Sequence, residues 1–389
     1  MPELAWPTPA LYLCFMHYTR KRILILGGGP AGSATAVALS QHGIDAELIL
    51  AFKEKSRDPI GETIPPAATH AMKQLGLEGL LDENIHLPCP GSASIWGSET
   101  PGHNDFFIDP TGKGFHLDRA RFDADLRRAA GQAGTQLQSG WRLQKVEALS
   151  KKYRLWFSTP QKEMTPVEAD LVIDATGQAA AFARRLGVAR NLFDEVISVC
   201  AFINATCEPP ESAHTFIQTR DIGWWYGARL PGKRGIVALC TDRQTLQAHS
   251  LADPEQWRTA LTQTKWFKEQ MQQQLGSLLP ESSRLFLKPA PSAILSNVIG
   301  PNWLAVGDAA SSYDSMTSAG ITKALLQAHQ AGQAVAEWLR DGSGHALHDF
   351  QNQVFDDFNQ YMQLHQQHYR SETRFGQSAF WRNRLRHAG

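Results

Sequence analysis

A turn of small residues at positions 27–32, GGGPAG, is the first place where the chain could do chemistry. In a strand-turn-helix unit, Gly27 allows the tight bend, Gly29 lets the backbone approach a pyrophosphate, and Gly32 lets the helix and strand pack closely. The N-terminus of the following helix faces the bound anion with the positive end of its dipole. The turn therefore predicts a dinucleotide site, to which Pro30 and Ala31 also contribute.

A second turn of this type follows an apolar strand at residues 171–173. The sequence DATGQAA brings Asp174 and Gly177 ahead of a short helix, and we expect Gly177 to contact the cofactor. One position departs from the usual dinucleotide pattern. The strand AELIL should end in an acid that holds ribose hydroxyls, but Leu50 occupies that position, and neither Glu47 nor Glu54 is a secure substitute.

The third stretch, WLAVGDAASSYDSMTSAGITKAL at residues 303–325, places almost nothing bulky between a strand and a helix. The carboxylate of Asp308, after Gly307, can accept hydrogen bonds from sugar-like hydroxyls, and the small residues admit a flat ring. A helix beginning near Gly320 would direct its positive N-terminus at negative charge on that ring. A flavin fits these requirements, with its ring predicted to contact Ser318, Ala319 and Gly320.

Aromatic residues and one acid could act on a substrate. Trp224, Trp225 and Tyr226 share a predicted strand, so Trp225 faces one side while Trp224 and Tyr226 face the other. The side toward the ring could stack on an indole or phenol, and the alternative is that all three are sheet core. Glu62 could approach the ring from the opposite side, or could be an ordinary helix-entry acid. The candidate catalytic residues are Trp225, Tyr226 and Glu62.

The composition argues against several classes of function. The 38 basic and 38 acidic residues cancel, so no net charge favours nucleic acid or an anionic membrane. Five scattered cysteines without a CxxC pair indicate a reducing, cytoplasmic compartment. No apolar run reaches the roughly 20 residues of a membrane span, and no GxSxG, P-loop or HExxH motif occurs. We expect no metal, because His365 and His368 are predicted to be exposed helix residues.

The pattern predicts an α/β protein in which a Rossmann-type domain is interrupted by a mainly antiparallel sheet domain. The nucleotide-binding domain is expected at 21–190 and 290–345, and it contains a helix that begins near Asp118 with Phe122 and Leu126 on one face. The substrate-binding sheet is expected at 191–289, where EVISVCAFINATC, HTFIQT, GWWYGARLP and RGIVALCTD are typical of strands. Residues 1–20 are predicted to be an N-terminal extension and 346–389 a helical C-terminal segment.

From Lys21 onward, the chain resembles the flavoprotein monooxygenase and halogenase superfamily that has the hydroxybenzoate-hydroxylase type of fold. The motifs GGGPAG, GETIPP, LDRARFD, DATG and GDAA occur in the order of that superfamily. Within it, the sequence looks most like the flavoproteins that help mature tryptophylquinone enzymes by oxidising a tryptophan of a partner polypeptide. The matching stretches are SIWGS, DIGWWYGARLP, WLAVGDAASSYD and the tail HYRSETRFGQSAFWRNR.

The resemblance implies an FAD-dependent monooxygenase that hydroxylates an aromatic ring through a flavin C4a-hydroperoxide. The implied substrate is a tryptophan or indole of a partner polypeptide during quinone cofactor biogenesis. These folds frequently lack a separate nicotinamide domain, so the external reductant of the flavin is left open. For Arg119 the resemblance implies a flavin or domain-anchoring contact, and the alternative is a solvated helix arginine.

Three other functions are open at this point. Halogenases of similar fold share a WxWxIP motif and a reactive lysine, whereas this chain has Trp224, Trp225, Tyr226 and Gly227 and no lysine between positions 73 and 113. Flavin-dependent reductases of isoprenoids have a comparable fold and an aromatic strand motif in the same region. A non-catalytic flavoprotein could also escort its partner without reacting.

Two positions differ from the pattern of the superfamily. Gln178 follows Gly177, where an arginine is common, and this change affects one pyrophosphate contact. Asp314, Ser315 and Met316 replace a loop that often contains proline, so the flavin-facing loop has its own shape.

Overall fold

The structure is a computed structural model that describes residues 21–51, 61–107, 109–208, 210, 212–278 and 284–386. The predicted N-terminal extension at 1–20 lies outside the described residues. Within them the helices, α1 to α10 in chain order, span Pro30–Gln41, Pro66–Gln74, Arg119–Gln132, Ala181–Arg185, Arg243–Ala248, Pro254–Thr262, Lys265–Leu275, Gly320–Asp341, His345–Ser371 and Ala379–Arg386. Single 3₁₀ turns lie at Glu78–Leu80, Gly177–Ala179, Gly307–Ala309 and Ser315–Thr317.

The strands of the described residues are numbered β1 to β22 in chain order. They span Ile23–Leu26, Glu47–Leu50, Thr63–Ile64, Leu87–Cys89, Gly91–Ile95, Gly102–Asp105, Gly114–His116, Gln136–Ser139, Arg142–Ala148, Tyr153–Ser158, Met164–Ala169, Leu171–Asp174, Arg190–Leu192, Val196–Asn204, Thr215–Arg220, Gly223–Leu230, Arg234–Asp242, Leu285–Pro289, Ala293–Leu295, Ile299–Gly300, Trp303–Ala305 and Ser311–Ser312. They form five sheets, two of which position the candidate site.

The first of these sheets has six strands in the order β20-β21-β12-β1-β2-β8. Every neighbouring pair is parallel except β20 with β21. Its central strands are continuous apolar runs, since Leu24, Ile173 and Leu304 are fully buried. Such runs are typical of a parallel sheet that helices cover. The α/β sheet expected from the glycine turns is therefore confirmed.

The register of this sheet brings the three small-residue turns together. Leu26 at the end of β1 pairs with Asp174 at the end of β12, and Asp174 pairs with Ala305 at the end of β21. Because parallel strands end at the same edge of their sheet, the turns that follow these residues are neighbours in space. Ligands of open α/β sheets bind outside this carboxyl edge.

The second sheet has seven strands in the order β18-β14-β17-β16-β15-β5-β6, and all its pairs are antiparallel except β15 with β5. The four strands predicted between residues 195 and 250 are β14 to β17, as expected. Helices α6 and α7 bury one of its faces, where Trp225, Trp257 and Phe267 share an apolar core.

One assignment within the predicted domains differs from the structure. The expected nucleotide-binding domain includes residues 91–105, but β5 and β6 extend the seven-stranded sheet, where Thr215 pairs with Ser92. The alternation in GSASI and the polar strand GHND are too short to show which sheet they join. The other domain boundaries stay predictions.

The helices that pack beside the six-stranded sheet agree with the helices predicted from the sequence. Asp118 caps α3 by accepting a hydrogen bond from the backbone N–H of Arg121, and Phe122 and Leu126 are fully buried, as predicted. Helix α8 packs against α1 so closely that a Cβ at Gly332 would lie 2.6 Å from the Cβ of Ala38.

The long helix α9 corrects a prediction about histidine. His368 is exposed as expected, but His365 is only 6% exposed and lies 3.3 Å from the Asp314 carboxylate. The polar stretch QLHQQHY gives no sign of this contact, because Asp314 belongs to a loop about fifty residues earlier in the sequence. Among the described residues, none of the helices combines the length and the apolar character needed to cross a bilayer.

Candidate functional site

The turns at the carboxyl edge of the six-stranded sheet open into a cleft whose opposite wall is the seven-stranded sheet. Strands β14, β16, β17 and β18 contribute Ser198, Tyr226, Ala238 and Lys288 to that wall. Most of the residues predicted from the sequence line the same cleft: Gly29, Pro30, Ala31, Glu62, Arg119, Gly177, Tyr226, Asp308, Ser318, Ala319 and Gly320. The structure therefore brings together residues that are up to 291 positions apart, from Gly29 to Gly320.

One end of the cleft is the N-terminus of α1. Gly29 is the N-cap of this helix and has no side chain to occupy the free N–H groups of the first turn. A Cβ at Gly29 would meet no atom within 4 Å. In contrast, a Cβ at Gly27 would lie 2.2 Å from the carbonyl oxygen of Ala175, and one at Gly32 would lie 1.9 Å from that of Gly27. Gly29 leaves room for an anion, whereas Gly27 and Gly32 permit packing.

Asp308 lies beside this end, on a 3₁₀ turn, with 40% of its side chain exposed. The Nζ atom of Lys323 donates a hydrogen bond to its Oδ1 atom at 3.0 Å and another to the carbonyl oxygen of Ser311. Arg190 Nη1 donates to the carbonyl oxygen of Asp308 at 3.1 Å. Burial lowers the pKa of Lys323, and Asp308 opposes that effect. The carboxylate is therefore held in place and still faces the cleft, where it can accept hydrogen bonds from ribityl hydroxyls.

The N-terminus of α8 forms the next part of the cleft. Ser318 adopts a left-handed conformation with φ of 49°, and the N-cap Ala319 makes no side-chain hydrogen bond to the first turn. Gly320, the first helical residue, has open space where a Cβ would be. Behind it, a Cβ at Gly307 would lie 2.6 Å from the Cβ of Ala31, so this loop packs directly on α1. The free N–H groups at this helix end suit a flat ring that carries negative charge.

Glu62 places a buried carboxyl group in the cleft. Its side chain is 2% exposed, and its Oε1 atom has no hydrogen-bond partner among the described residues. Burial raises the pKa of the Glu62 carboxyl to about 7, although the positive charge of Arg119 acts in the opposite direction. Arg119 itself lines the cleft and donates from Nη1 to the carbonyl oxygen of Gly61 at 2.7 Å. Glu62 therefore exchanges a proton near neutral pH, as a general acid or base requires.

The three aromatic residues of strand β16 do not all face the cleft, and one of the predicted catalytic residues points away from it. Tyr226 faces the cleft, but Trp225 faces the other side of the sheet, fully buried with its ring 5.1 Å from that of Trp257. Trp224 shares the side of Tyr226 yet is covered by Tyr369, to whose hydroxyl oxygen its indole N–H donates at 3.0 Å. The prediction of Trp225 as a residue of the site does not agree with its position, because α6 and α7 cover that face.

Several residues that line the cleft were not among those predicted from the sequence. Ser198 and Cys200 lie two apart on β14, so strand alternation alone could have placed them on one face with Cys240 of the paired strand β17. Asp314 could not have been found in this way. Its carboxylate accepts a hydrogen bond from the hydroxyl group of Tyr369 at 2.6 Å. Tyr369 lies in helix α9, which is distant from Asp314 in the sequence.

These features fit FAD. The open N-terminus of α1 can hold the pyrophosphate, the fixed carboxylate of Asp308 can hold the ribityl chain, and the turn at Ser318–Gly320 can hold the ring. Leu50 is 7% exposed and, as expected, offers no carboxylate for the ribose. The residues define an FAD-binding flavoprotein of the α/β type.

Comparison with known families agrees with this class. A family model described as FAD binding domain matches residues 20–355, so the chain belongs to that family and is a flavin-dependent enzyme. The chain is 28% identical over 365 residues to LodB of Marinomonas mediterranea, which is named as an FAD-dependent oxidoreductase; the match covers 93% of this chain and 96% of LodB. It is 26% identical to a 1H-pyrrole-2-carbonyl-(peptidyl-carrier protein) chlorinase of Pseudomonas fluorescens, over 82% of this chain and 76% of that protein.

Solved structures share the fold. The flavin-dependent halogenase CmlS superposes with a TM-score of 0.80 at 24% identity, over 95% of this chain and 68% of that chain. QhpG, a peptidyl tryptophan dihydroxylase essential for tryptophylquinone cofactor biogenesis, superposes with a TM-score of 0.74 at 21% identity, over 94% and 78%. The fold is therefore that of the FAD-dependent monooxygenase and halogenase superfamily.

Substitution of two glycines of the same turn separates cofactor binding from folding. We expect Gly29→Val to lower the stability of the FAD-free protein by no more than about 1 kcal/mol, the cost of a poor N-cap. FAD binding should weaken by roughly tenfold or more, because the new side chain occupies the anion space. Gly32→Val is the matched control and should destabilise the FAD-free protein itself, because its Cβ meets a backbone carbonyl. Denaturant unfolding and flavin fluorescence titration measure the two effects. Full FAD affinity in Gly29→Val would contradict this assignment of the turn.

The pKa of Glu62 predicts a pH-dependent difference in stability. The unfolded carboxyl has a pKa near 4.3, so the raised pKa in the folded chain means that stability is lost as pH rises from that value through about 7. Glu62→Gln removes this loss. From pH 5 to pH 8, the free energy of unfolding of FAD-free Glu62→Gln should increase relative to the wild type by about 2–3 kcal/mol. A difference that does not vary with pH would show that the Glu62 pKa is not raised.

Proposed function

We propose that the protein is an FAD-dependent monooxygenase that hydroxylates an aromatic ring, with a tryptophan of a partner polypeptide as substrate. The observation that carries the proposal is the position of Glu62 and Tyr226 in the same cleft as the turn at Ser318–Gly320. A carboxyl group that exchanges its proton near pH 7 and a phenol that can orient a ring are both suited to aromatic hydroxylation.

FAD, when bound and reduced, supplies the activation of dioxygen. The chain contributes the surroundings of the reaction. Ile236 and Ala238 of β17 are apolar, almost fully buried residues of the cleft wall, and they keep water from the reacting atoms. The Oε1 atom of Glu62 can accept the proton that the ring carbon loses when it gains an oxygen atom. Its pKa near 7 allows it to accept this proton and release it again.

The names of two similar proteins support a polypeptide-borne substrate. QhpG is called a peptidyl tryptophan dihydroxylase, and the relative from Pseudomonas fluorescens acts on a pyrrole carried by a protein. In this chain, β18 is an edge strand of the seven-stranded sheet and contributes Lys288 and Pro289 to the cleft. Within the part of the chain that the structure describes, no further strand pairs with β18, and an extended polypeptide can lie along such an edge.

Halogenation is the second candidate function. Several of the relatives are flavin-dependent halogenases, among them proteins of Armillaria mellea and Penicillium aethiopicum. Halogenases resemble one another in a reactive lysine, and Lys288 is a lysine of the cleft, although it is exposed. The two reactions differ in which atom is added to the ring.

Product analysis with labelled oxygen distinguishes the candidate reactions. The FAD-loaded protein is supplied with a chemical reductant, ¹⁸O₂ and bromide, and is incubated with either a tryptophan-containing peptide or free indole. The masses of the products are then measured by mass spectrometry. We expect one or more labelled oxygen atoms in the indole ring and no bromine. The peptide should react at least tenfold faster than free indole, because it also contacts the edge strand.

Controls identify the groups responsible. Glu62→Gln should lower product formation and increase hydrogen peroxide release, while Trp225→Phe, altered on the covered face of the same sheet, should keep the ratio of product to peroxide. A brominated product would favour halogenation, and substrate reduction without oxygen consumption would favour a reductase. Either result would overturn the proposed hydroxylation.

A further inference from the structure

A chain of hydrogen bonds leads from a buried backbone carbonyl to the cleft. The Nε2 atom of His116 lies 2.9 Å from the carbonyl oxygen of Ala213, and its Nδ1 atom lies 2.9 Å from the hydroxyl oxygen of Thr63. The same Thr63 oxygen lies 2.7 Å from the phenol oxygen of Tyr226. His116 is fully buried and Thr63 is 7% exposed. Thr63 and Tyr226 both line the cleft, and Tyr226 does so from the seven-stranded sheet, the wall opposite the flavin-binding turns.

The carbonyl oxygen of Ala213 determines the direction of every hydrogen bond in this series of four residues. The carbonyl oxygen of Ala213 can only accept, so Nε2 of His116 must carry a hydrogen. Burial lowers the pKa of His116 to about 4, so the ring is neutral at pH 7 and its Nδ1 atom is an acceptor. The hydroxyl group of Thr63 has a single hydrogen, which it donates to Nδ1. The Thr63 oxygen must then accept the hydrogen of the Tyr226 phenol.

Neighbouring groups do not reverse this direction. Thr215 Oγ1 lies 3.5 Å from the Thr63 oxygen. If Thr215 donates a hydrogen bond to that oxygen, Thr63 still donates its own single hydrogen to Nδ1 of His116. Burial raises the pKa of the Tyr226 phenol far above its usual value, and the nearby Glu62 acts in the same direction, so Tyr226 keeps its hydrogen. Glu62 is the titrating group beside it in the cleft. Tyr226 therefore presents lone-pair density, and no hydrogen, to a ligand in the cleft.

From this geometry we infer that Tyr226 determines substrate specificity by accepting a hydrogen bond from the N–H group of the substrate ring, and that Thr63 and His116 are its positioning residues. An indole satisfies the acceptor, whereas a ring of the same shape without a donor leaves a buried oxygen unpaired. The inference rests on the proposed function, because it concerns how the aromatic substrate is chosen. It also gives a reason for a buried Thr–His pair behind the site, which the hydroxylation chemistry does not require.

The test compares two probes that differ at one atom. N-acetyltryptophanamide carries the indole N–H, and its benzothiophene counterpart has sulfur at that position. Binding to the oxidised FAD-loaded protein is followed by the change in the visible absorbance of the flavin, with no reductant present. We expect the wild type to bind the indole about three- to tenfold more tightly. Tyr226→Phe should bind the two probes equally.

Two variants of Thr63 separate positioning from structure. Thr63→Val removes the acceptor of the Tyr226 hydrogen, so the phenol can turn that hydrogen toward the cleft, and the preference for indole should fall below about twofold although Tyr226 is present. Thr63→Ser keeps the hydroxyl group and should keep the preference. A purely structural role of Thr63 would change the affinity for both probes equally, and thermal melting of each FAD-loaded variant checks that it is folded.

Three results would overturn the inference. They are equal binding of the two probes by the wild type, binding of neither probe, and a Thr63→Val variant that keeps the wild-type ratio. Loss of FAD affinity in Thr63→Val with an unchanged probe ratio would mean that the Tyr226 lone pair serves the cofactor. Because the assay needs neither reductant nor oxygen, its outcome is independent of whether the protein hydroxylates, halogenates or reduces its substrate.

Discussion

The structure depends on the close approach of backbone to ligand at one edge of a parallel sheet. Strands β1, β12 and β21 end in register, and each is followed by a turn of small residues. At Gly27 and Gly32 the backbones of these turns and of α1 touch, so a methyl group would overlap a carbonyl oxygen. This contact allows the N-termini of α1 and α8 to face the same cleft. The helix dipoles and free N–H groups there are a fixed site for an anionic cofactor.

The second requirement is a wall that closes this cleft from the opposite side. The seven-stranded sheet supplies it, and the two faces of that sheet have different functions. Helices α6 and α7 cover the face that contains Trp225, while the face with Tyr226, Ser198 and Cys240 lines the cleft. Two buried charged groups near the cleft have partners: Asp308 holds the Lys323 ammonium, and Tyr369 and His365 contact the Asp314 carboxylate. Removing Asp308 would leave the buried Lys323 ammonium without its charged partner, which is destabilising.

The sequence predicts the cofactor half of the molecule better than the substrate half. Gly29, Asp308 and Gly320 line one cleft, and they can be predicted from the sequence because small-residue turns after apolar strands are local patterns. Strand alternation separated Trp225 from Tyr226 but could not show which side faces the cleft, since that depends on where α6 and α7 pack. Lys323, His365 and the chain from Ala213 to Tyr226 depend on contacts between residues distant in sequence. Local patterns carry no signal for such contacts.

The central claim is that one cleft holds FAD with its pyrophosphate at α1 and its ring between α8 and the wall of β16. A crystal structure of the FAD-saturated protein tests this claim most directly. We predict electron density for the pyrophosphate within hydrogen-bond distance of the backbone N–H groups that follow Gly29, and for the isoalloxazine ring between the Ser318–Gly320 turn and Tyr226. A ring located outside this cleft, or phosphates that do not contact the N-terminus of α1, would contradict the account.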